Sequence, residues 1–225
     1  MTAGGKSLNT QNLSQRSLRP LHCRRRVGLL GGSFNPAHAG HLHISREAIR
    51  RLELDEVWWI VSPRNPLKPL GELEDYATRL AQARVIAAAE PRIVVTAIEH
   101  ALGTRYTIDT LRQLKRRYSR VCFAWLMGAD NLAQFRLWKQ WIMIFSDTRI
   151  AVFDRAPFSH TALRAKAALR FTARRVPAGV LMQTAPPAWA YVHMRRDPHS
   201  ATALRHGLSL FPSKILPSKP PESAI

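Results

Sequence analysis

From Val27 onward the chain alternates short apolar runs with helix-like stretches, and this alternation limits the folds open to it. The runs VGLL (27–30), EVWWIVSP (56–63), RIVVTAI (92–98), VCFAWLMG (121–128), RIAVFDR (149–155) and WAYVHM (189–194) lack strict polar alternation. A strand with one wet face shows that alternation; a strand covered on both faces does not. Helices are predicted between the strands, near 40–52, 74–90, 107–118, 129–141, 160–172 and 200–210. The pattern predicts an α/β fold, an open parallel sheet with helices on both faces. In such sheets ligands sit beyond the carboxyl ends of the strands, in the loops that enter the helices.

A chain of 225 residues supplies one sizeable core rather than two. A single domain is expected over 27–211, between a flexible basic extension (1–26) and a disordered, Pro-rich tail (212–225). The first 26 residues hold six Lys or Arg and no acid, and no apolar h-region that would mark a secretory signal. No apolar run approaches the roughly 20 residues of a membrane-spanning helix. Cys23 and Cys122 stand far apart and outside any CxxC pattern, so neither a disulfide scaffold nor a zinc ribbon is expected. A reducing, cytoplasmic setting is the default.

Lys and Arg number 34 against 15 Asp and Glu, giving a formal charge of +19. Such an excess favours anionic partners. The basic residues are spread along the chain, with clusters at Arg24-Arg25-Arg26, Arg116-Arg117 and Arg174-Arg175, rather than forming one stripe interleaved with aromatics. No specific nucleic acid and no membrane is therefore expected as a partner.

The first strand-to-helix loop, GGSFNPAHAGHLHIS (31–45), concentrates chemistry. Gly31-Gly32 follow a strand where a side chain would keep a phosphate or nucleoside from the backbone. Asn35-Pro36 makes a turn. His38 and His41 stand at the mouth of the next helix, where imidazoles can donate to phosphate oxygens. A histidine metal site is disfavoured: no Cys or carboxylate lies nearby, and His41 and His43 point to different sides of a helix.

Later loops add to this. RNPLK (64–68) puts Lys68 near the same sheet edge. RYTIDT (105–110) opens a helix, with Thr107 and Asp109 as cap candidates. In GADN (128–131), Asp130 could accept ribose hydroxyls or cap a helix. Trp138 and Trp141 are read as sharing one helical face. Ser200 is an N-cap candidate with Thr202 and Arg205 in the first turns. Arginine there opposes the helix macrodipole unless it shares a bound anion.

These motifs, in this order, resemble the nicotinate-nucleotide adenylyltransferases of the HxGH nucleotidyltransferase superfamily, over roughly Val27 to Leu210. His38-Ala39-Gly40-His41 is similar to the HxGH motif and GGSFNP to the GxFxP segment before it. HSATALR (199–205) resembles the late ISSTxIR motif; YTIDTL (106–111), GADN and RIAVFDRAP (149–157) are also similar. The resemblance implies a Rossmann-like sheet and adenylyl transfer from ATP to nicotinate mononucleotide, giving deamido-NAD and pyrophosphate. It implies His38, His41 and Arg205 as catalytic residues. Gly31, Gly32, Ser33, Phe34, Lys68, Asp130, Arg155, Ser200 and Thr202 would serve ATP, and Tyr106, Thr107 and Trp138 the acceptor, with Trp138 stacking on its ring.

The residues agree with that chemistry. An acceptor phosphate has its second pKa at about 6, so it arrives largely ionised and needs no general base. Catalysis then rests on in-line positioning and on neutralising the triphosphate. Mg²⁺ is expected on the substrate phosphates, without a protein cage. Leu67, Lys139 and Ala201 depart from the family pattern, which touches acceptor recognition more than adenylyl transfer. Nicotinamide mononucleotide or another phosphorylated acceptor is the alternative, with a basic nucleic-acid-binding protein behind it. A homo-oligomer is left open.

Overall fold

The structure is a computed structural model that describes residues 23–63, 73–154 and 158–194. In chain order it holds β1 (Arg25–Gly32), α1 (Ala39–Arg51), β2 (Glu56–Val61), α2 (Tyr76–Ala87), β3 (Ile93–Thr96), α3 (Ile98–Leu102) and α4 (Thr107–Arg117). Then come β4 (Val121–Gly128), α5 (Ala129–Gln134), α6 (Trp141–Asp147), β5 (Arg149–Phe153), α7 (Ser159–Leu163), α8 (Lys166–Arg170) and β6 (Ala188–Val192). The six strands form one sheet in the order β3-β2-β1-β4-β5-β6, and every pairing is parallel. This is a Rossmann-like α/β fold.

Period-2 geometry divides the core between the two faces. On β4, Cys122, Ala124 and Leu126 join one cluster with Ile44, Ala48 and Ile49 of α1. Phe123, Trp125 and Met127 join the other, with Ile108 and Leu111 of α4 and Leu132 of α5. Each fully buried Leu, Ile or Phe contributes roughly 1.5–3 kcal/mol by leaving water.

Three local expectations are corrected. The segment after β3, read as a loop, holds the short helix α3, closed by Gly103 at φ 62. The helix expected over 129–141 stops at Gln134. A 3₁₀ turn follows over Phe135–Leu137, Trp138 is extended, and Gln140 takes φ 52 before α6 begins. Trp138 and Trp141 therefore share no helical face. The Trp138 ring lies 6.0 Å from Trp125 and 4.8 Å from Phe135, whereas Trp141 meets Phe171 at 6.4 Å. The helix expected over 160–172 breaks at Ala165 (ψ 148), which lets Phe171 stack on Phe145 at 4.5 Å.

The cysteines also depart from expectation. Parallel pairing sets Arg26 beside Cys122 and draws Arg24 N–H to the Arg120 carbonyl. Cys23 and Cys122, 99 residues apart, are thereby joined as a disulfide with their Cα atoms 5.5 Å apart. Among the described residues no helix is long and apolar enough to cross a membrane. The helix expected over 200–210, the N-terminal extension before Cys23 and the Pro-rich tail lie outside the described residues.

Candidate active site

The sheet order reverses between β1 and β4, so the loops leaving these neighbours pass to opposite faces and open a crevice beyond their carboxyl ends. Gly31 and Gly32 form the lip on the β1 side. A Cβ on Gly31 would collide with the Trp125 indole of β4, whereas one on Gly32 would meet the Phe34 ring at 3.6 Å, an ordinary contact. Packing therefore demands the first glycine, and the second leaves the open space.

Ser33 follows, and then Phe34 at φ 48, a conformation that costs a side-chain-bearing residue about 1–2 kcal/mol. Burial offsets that cost. The ring is 1% exposed, stacked on Trp59 at 5.1 Å and set 4.7 Å from the His41 ring. The Phe34 side chain thus belongs to the core, and its backbone is what remains to meet a nucleotide. Asn35-Pro36 forms the expected turn, with a cis peptide bond. The Asn35 side-chain carbonyl accepts from Glu74 N–H at 3.1 Å.

His38 is the N-cap of α1. Its Nδ1 accepts from Gly40 N–H at 3.1 Å, and His41 Nδ1 accepts in return from His38 N–H at 3.2 Å. This is a capping box built from two imidazoles, in place of the usual hydroxyl and carboxylate. An Nδ1 that accepts leaves the proton of a neutral ring on Nε2. The two ring centroids lie 4.0 Å apart. The glycine between them has a reason too, since a Cβ on Gly40 would come within 2.9 Å of the His38 ring. Beneath, Trp59 Nε1–H donates to Ser45 Oγ (2.7 Å) and the Ser45 hydroxyl donates to the His41 carbonyl (2.8 Å), which fixes the first turn of α1.

Across the crevice, Asp130 sits in the first turn of α5, directly after β4. Tyr106 is the N-cap residue of α4 and Thr107 its first residue. Lys139 connects this corner: its Nζ lies 4.2 Å over the Tyr106 ring and 3.4 Å from the Asp109 carboxylate. Trp138, next to Lys139 in the chain, packs edge-on against Trp125, the indole that Gly31 admits. Lys68, Arg155, Ser200, Thr202 and Arg205 lie outside the described residues.

Two charged residues that the sequence did not single out hold these loops. Arg79 of α2 is 1% exposed. It donates to the carbonyls of Ser33 (2.6 Å), Ser62 (2.9 Å), Pro63 (3.0 Å) and Glu74 (3.0 Å), tying the loop after β1 to the loop after β2. Burial lowers its pKa, while Tyr76, Asp75 and Glu74 act in the opposite sense. Glu99 of α3 is 6% exposed and accepts from the Thr110 hydroxyl at 3.3 Å. Burial raises its carboxyl pKa, partly offset by hydrogen bonds from Ser62 and Thr110. Among the described residues no group of three or more His, Cys, Asp or Glu converges. These side chains are not a fit for caging a divalent cation.

Residues 29–207 match the cytidylyltransferase-like family model, which places the chain in the class of nucleotidyltransferases. A protein of Methylorubrum extorquens, named "Probable nicotinate-nucleotide adenylyltransferase", is 51% identical to it over 183 residues, spanning 80% of this chain and 98% of its own. One of the same name from a Bradyrhizobium species is 50% identical over 184 residues, spanning 80% and 95%. The fold is shared with Plasmodium falciparum nicotinic acid mononucleotide adenylyltransferase solved in complex with NaAD, at a TM-score of 0.61 and 14% identity, over 83% of this chain and 85% of that one. The chain belongs to the nicotinate-nucleotide adenylyltransferase family.

Proposed function

We propose that the chain transfers the adenylyl group of ATP to nicotinate mononucleotide, forming deamido-NAD and releasing pyrophosphate, as a step of NAD biosynthesis. The imidazole capping box at the mouth of α1 carries this reading: it fixes the His38 and His41 rings on one helix turn beside the crevice. Charge that develops on the phosphates is best stabilised by donors that need not reorganise.

In this reading ATP lies over Gly32 and Ser33, with Asp130 as acceptor for its ribose hydroxyls. His38 and His41 donate to triphosphate oxygens, Lys68 and Arg205 help to stabilise the negative charge, Ser200 and Thr202 serve the phosphates, and Arg155 serves ATP. The acceptor sits between the α4 start and Trp138, with the Trp138 indole against its ring and Tyr106 and Thr107 beside it. Its phosphate dianion attacks the α-phosphorus in line. The bond to the α–β bridging oxygen breaks, and pyrophosphate leaves with the electron pair. Mg²⁺ would be held by the nucleotide phosphates rather than by these side chains, where it would lessen the phosphate charge. A cytoplasmic setting belongs to the same reading.

The test is pyrophosphate release from ATP and Mg²⁺ with nicotinate mononucleotide, nicotinamide mononucleotide or phosphopantetheine offered separately. The highest kcat/KM is expected with nicotinate mononucleotide. Release only with another acceptor would move the chain to a different substrate, and no release with any of them would remove the reading.

A further inference from the structure

At the opposite end of the sheet from the histidines, the amino ends of β4 and β5 and the last turn of α4 border a cavity of 190 Å³. An eight-residue strand, β4, separates the two ends by roughly 20 Å. The lining includes Lys115, Tyr118, Ser119, Cys122, Asp147 and Arg149. It far exceeds the ~15 Å³ that a single water needs, so a polyatomic occupant fits.

The chemistry of the wall is cationic. Arg149 is 5% exposed. Its Nε–H donates to the Thr184 carbonyl at 2.8 Å, while its Nη2 is buried without a hydrogen-bond partner. A buried guanidinium donor left unpaired is costly, and an oxyanion is its natural complement. Lys115, on α4, donates its Nζ to the Asp147 carbonyl oxygen, which holds a second cation against the same wall. Burial lowers the pKa of Lys115, Asp147 counters that and the Arg149 charge adds to it; burial also lowers the pKa of Arg149. The lining holds one carboxylate, Asp147, against these two cations. The end of α4 and the turn into β4 carry Arg116, Arg117 and Arg120, all exposed, part of the charge excess that the proposed reaction leaves unused.

We propose that this cavity is a second anion site, separate from the crevice, that takes a compact phosphoryl oxyanion of orthophosphate or pyrophosphate size. The Arg149 guanidinium and the Lys115 ammonium supply charge, and the Ser119 and Tyr118 hydroxyls complete the shell. The proposal stands apart from the adenylyl-transfer reading, because it rests on residues at the other end of the sheet.

Backbone amide NMR of the full chain tests it, with orthophosphate, pyrophosphate and AMP as titrants and sodium chloride matched for ionic strength. Saturable shifts are expected at Ser119, Val121, Cys122 and Thr148 with a free phosphate species. Shifts there with AMP as well would show that the site reads the phosphoryl group wherever it is carried. Lys115→Met should weaken the distal response about tenfold, the loss of one charged hydrogen bond, while responses at Gly32 and His38 persist. Arg149→Met, checked for an unchanged melting profile, should do the same. The proposal is overturned if only amides near Gly32 and His38 move in the unmodified protein. Distal shifts that merely follow ionic strength, or that survive in both variants, would overturn it equally.

Discussion

His38 and His41 serve structure and chemistry with different atoms. Each Nδ1 closes a backbone N–H at the start of α1, and the proposed phosphate contact falls to the other ring nitrogen, Nε2. His41→Ala is therefore expected to lower kcat by about 10²–10³, as for loss of one fixed transition-state donor. Loss of half the cap should cost only about 1 kcal/mol of stability, so the melting profile should change little. Steady-state kinetics beside a denaturation curve checks both, and unchanged turnover would take His41 out of the mechanism. Glu99 gives a pH prediction. Its folded pKa is raised by burial, so the protonated form is the one the fold favours. Its contribution is complete below the ordinary glutamate pKa of about 4.3 and is lost as pH rises through the raised folded value. Glu99→Gln imitates the protonated form, so the fall in urea midpoint across that window should flatten; an unchanged slope would show that Glu99 does not drive it. The histidines were legible in the sequence because their partners lie within three residues. Arg79 and Glu99 were not, because a buried charge reads like a solvated one until its distant partners are known.

Elements met expectation where burial on both faces sets the pattern and departed where tertiary contacts override local preference. All six strands were legible from apolar runs. The long helix over 129–141 was not what formed, because the chain leaves α5 so that Phe135 can be buried and Trp138 can lean on Trp125. That break separates Trp138 from Trp141, and Lys139 beside it joins Tyr106 and Asp109 at the start of α4. At this scale Arg79 is the brace between α2 and the loops after β1 and β2. Arg79→Met should cost at least about 3 kcal/mol, since it leaves carbonyls unpaired in a buried place. Lysine should rescue little, because an ammonium lacks the planar fork that reaches four carbonyls. Chemical denaturation of Arg79→Met and Arg79→Lys checks this, and a near-native midpoint in either would show that the loops hold without the fork.

For the molecule as a whole, the strand order places the β1 and β4 loops on either side of one crevice, and adenylyl transfer needs two substrates to meet there. The family resemblance was legible across most of the chain, and residues 29–207 do match the cytidylyltransferase-like model. The pairing of Cys23 with Cys122 was not legible, since nothing local in either segment announces that β1 will lie beside β4. Nor does a net charge of +19 say where the charge gathers; Lys115 and Arg149, far apart in the chain, line one cavity only once the fold brings α4 and β5 together. The central claim is that the acceptor phosphate attacks the α-phosphorus of ATP. The direct measurement follows ATP labelled at the α-phosphorus through one turnover with nicotinate mononucleotide. All of the converted label is expected in the dinucleotide and none in pyrophosphate. Label appearing as AMP, or pyrophosphate formed without labelled dinucleotide, would contradict the account.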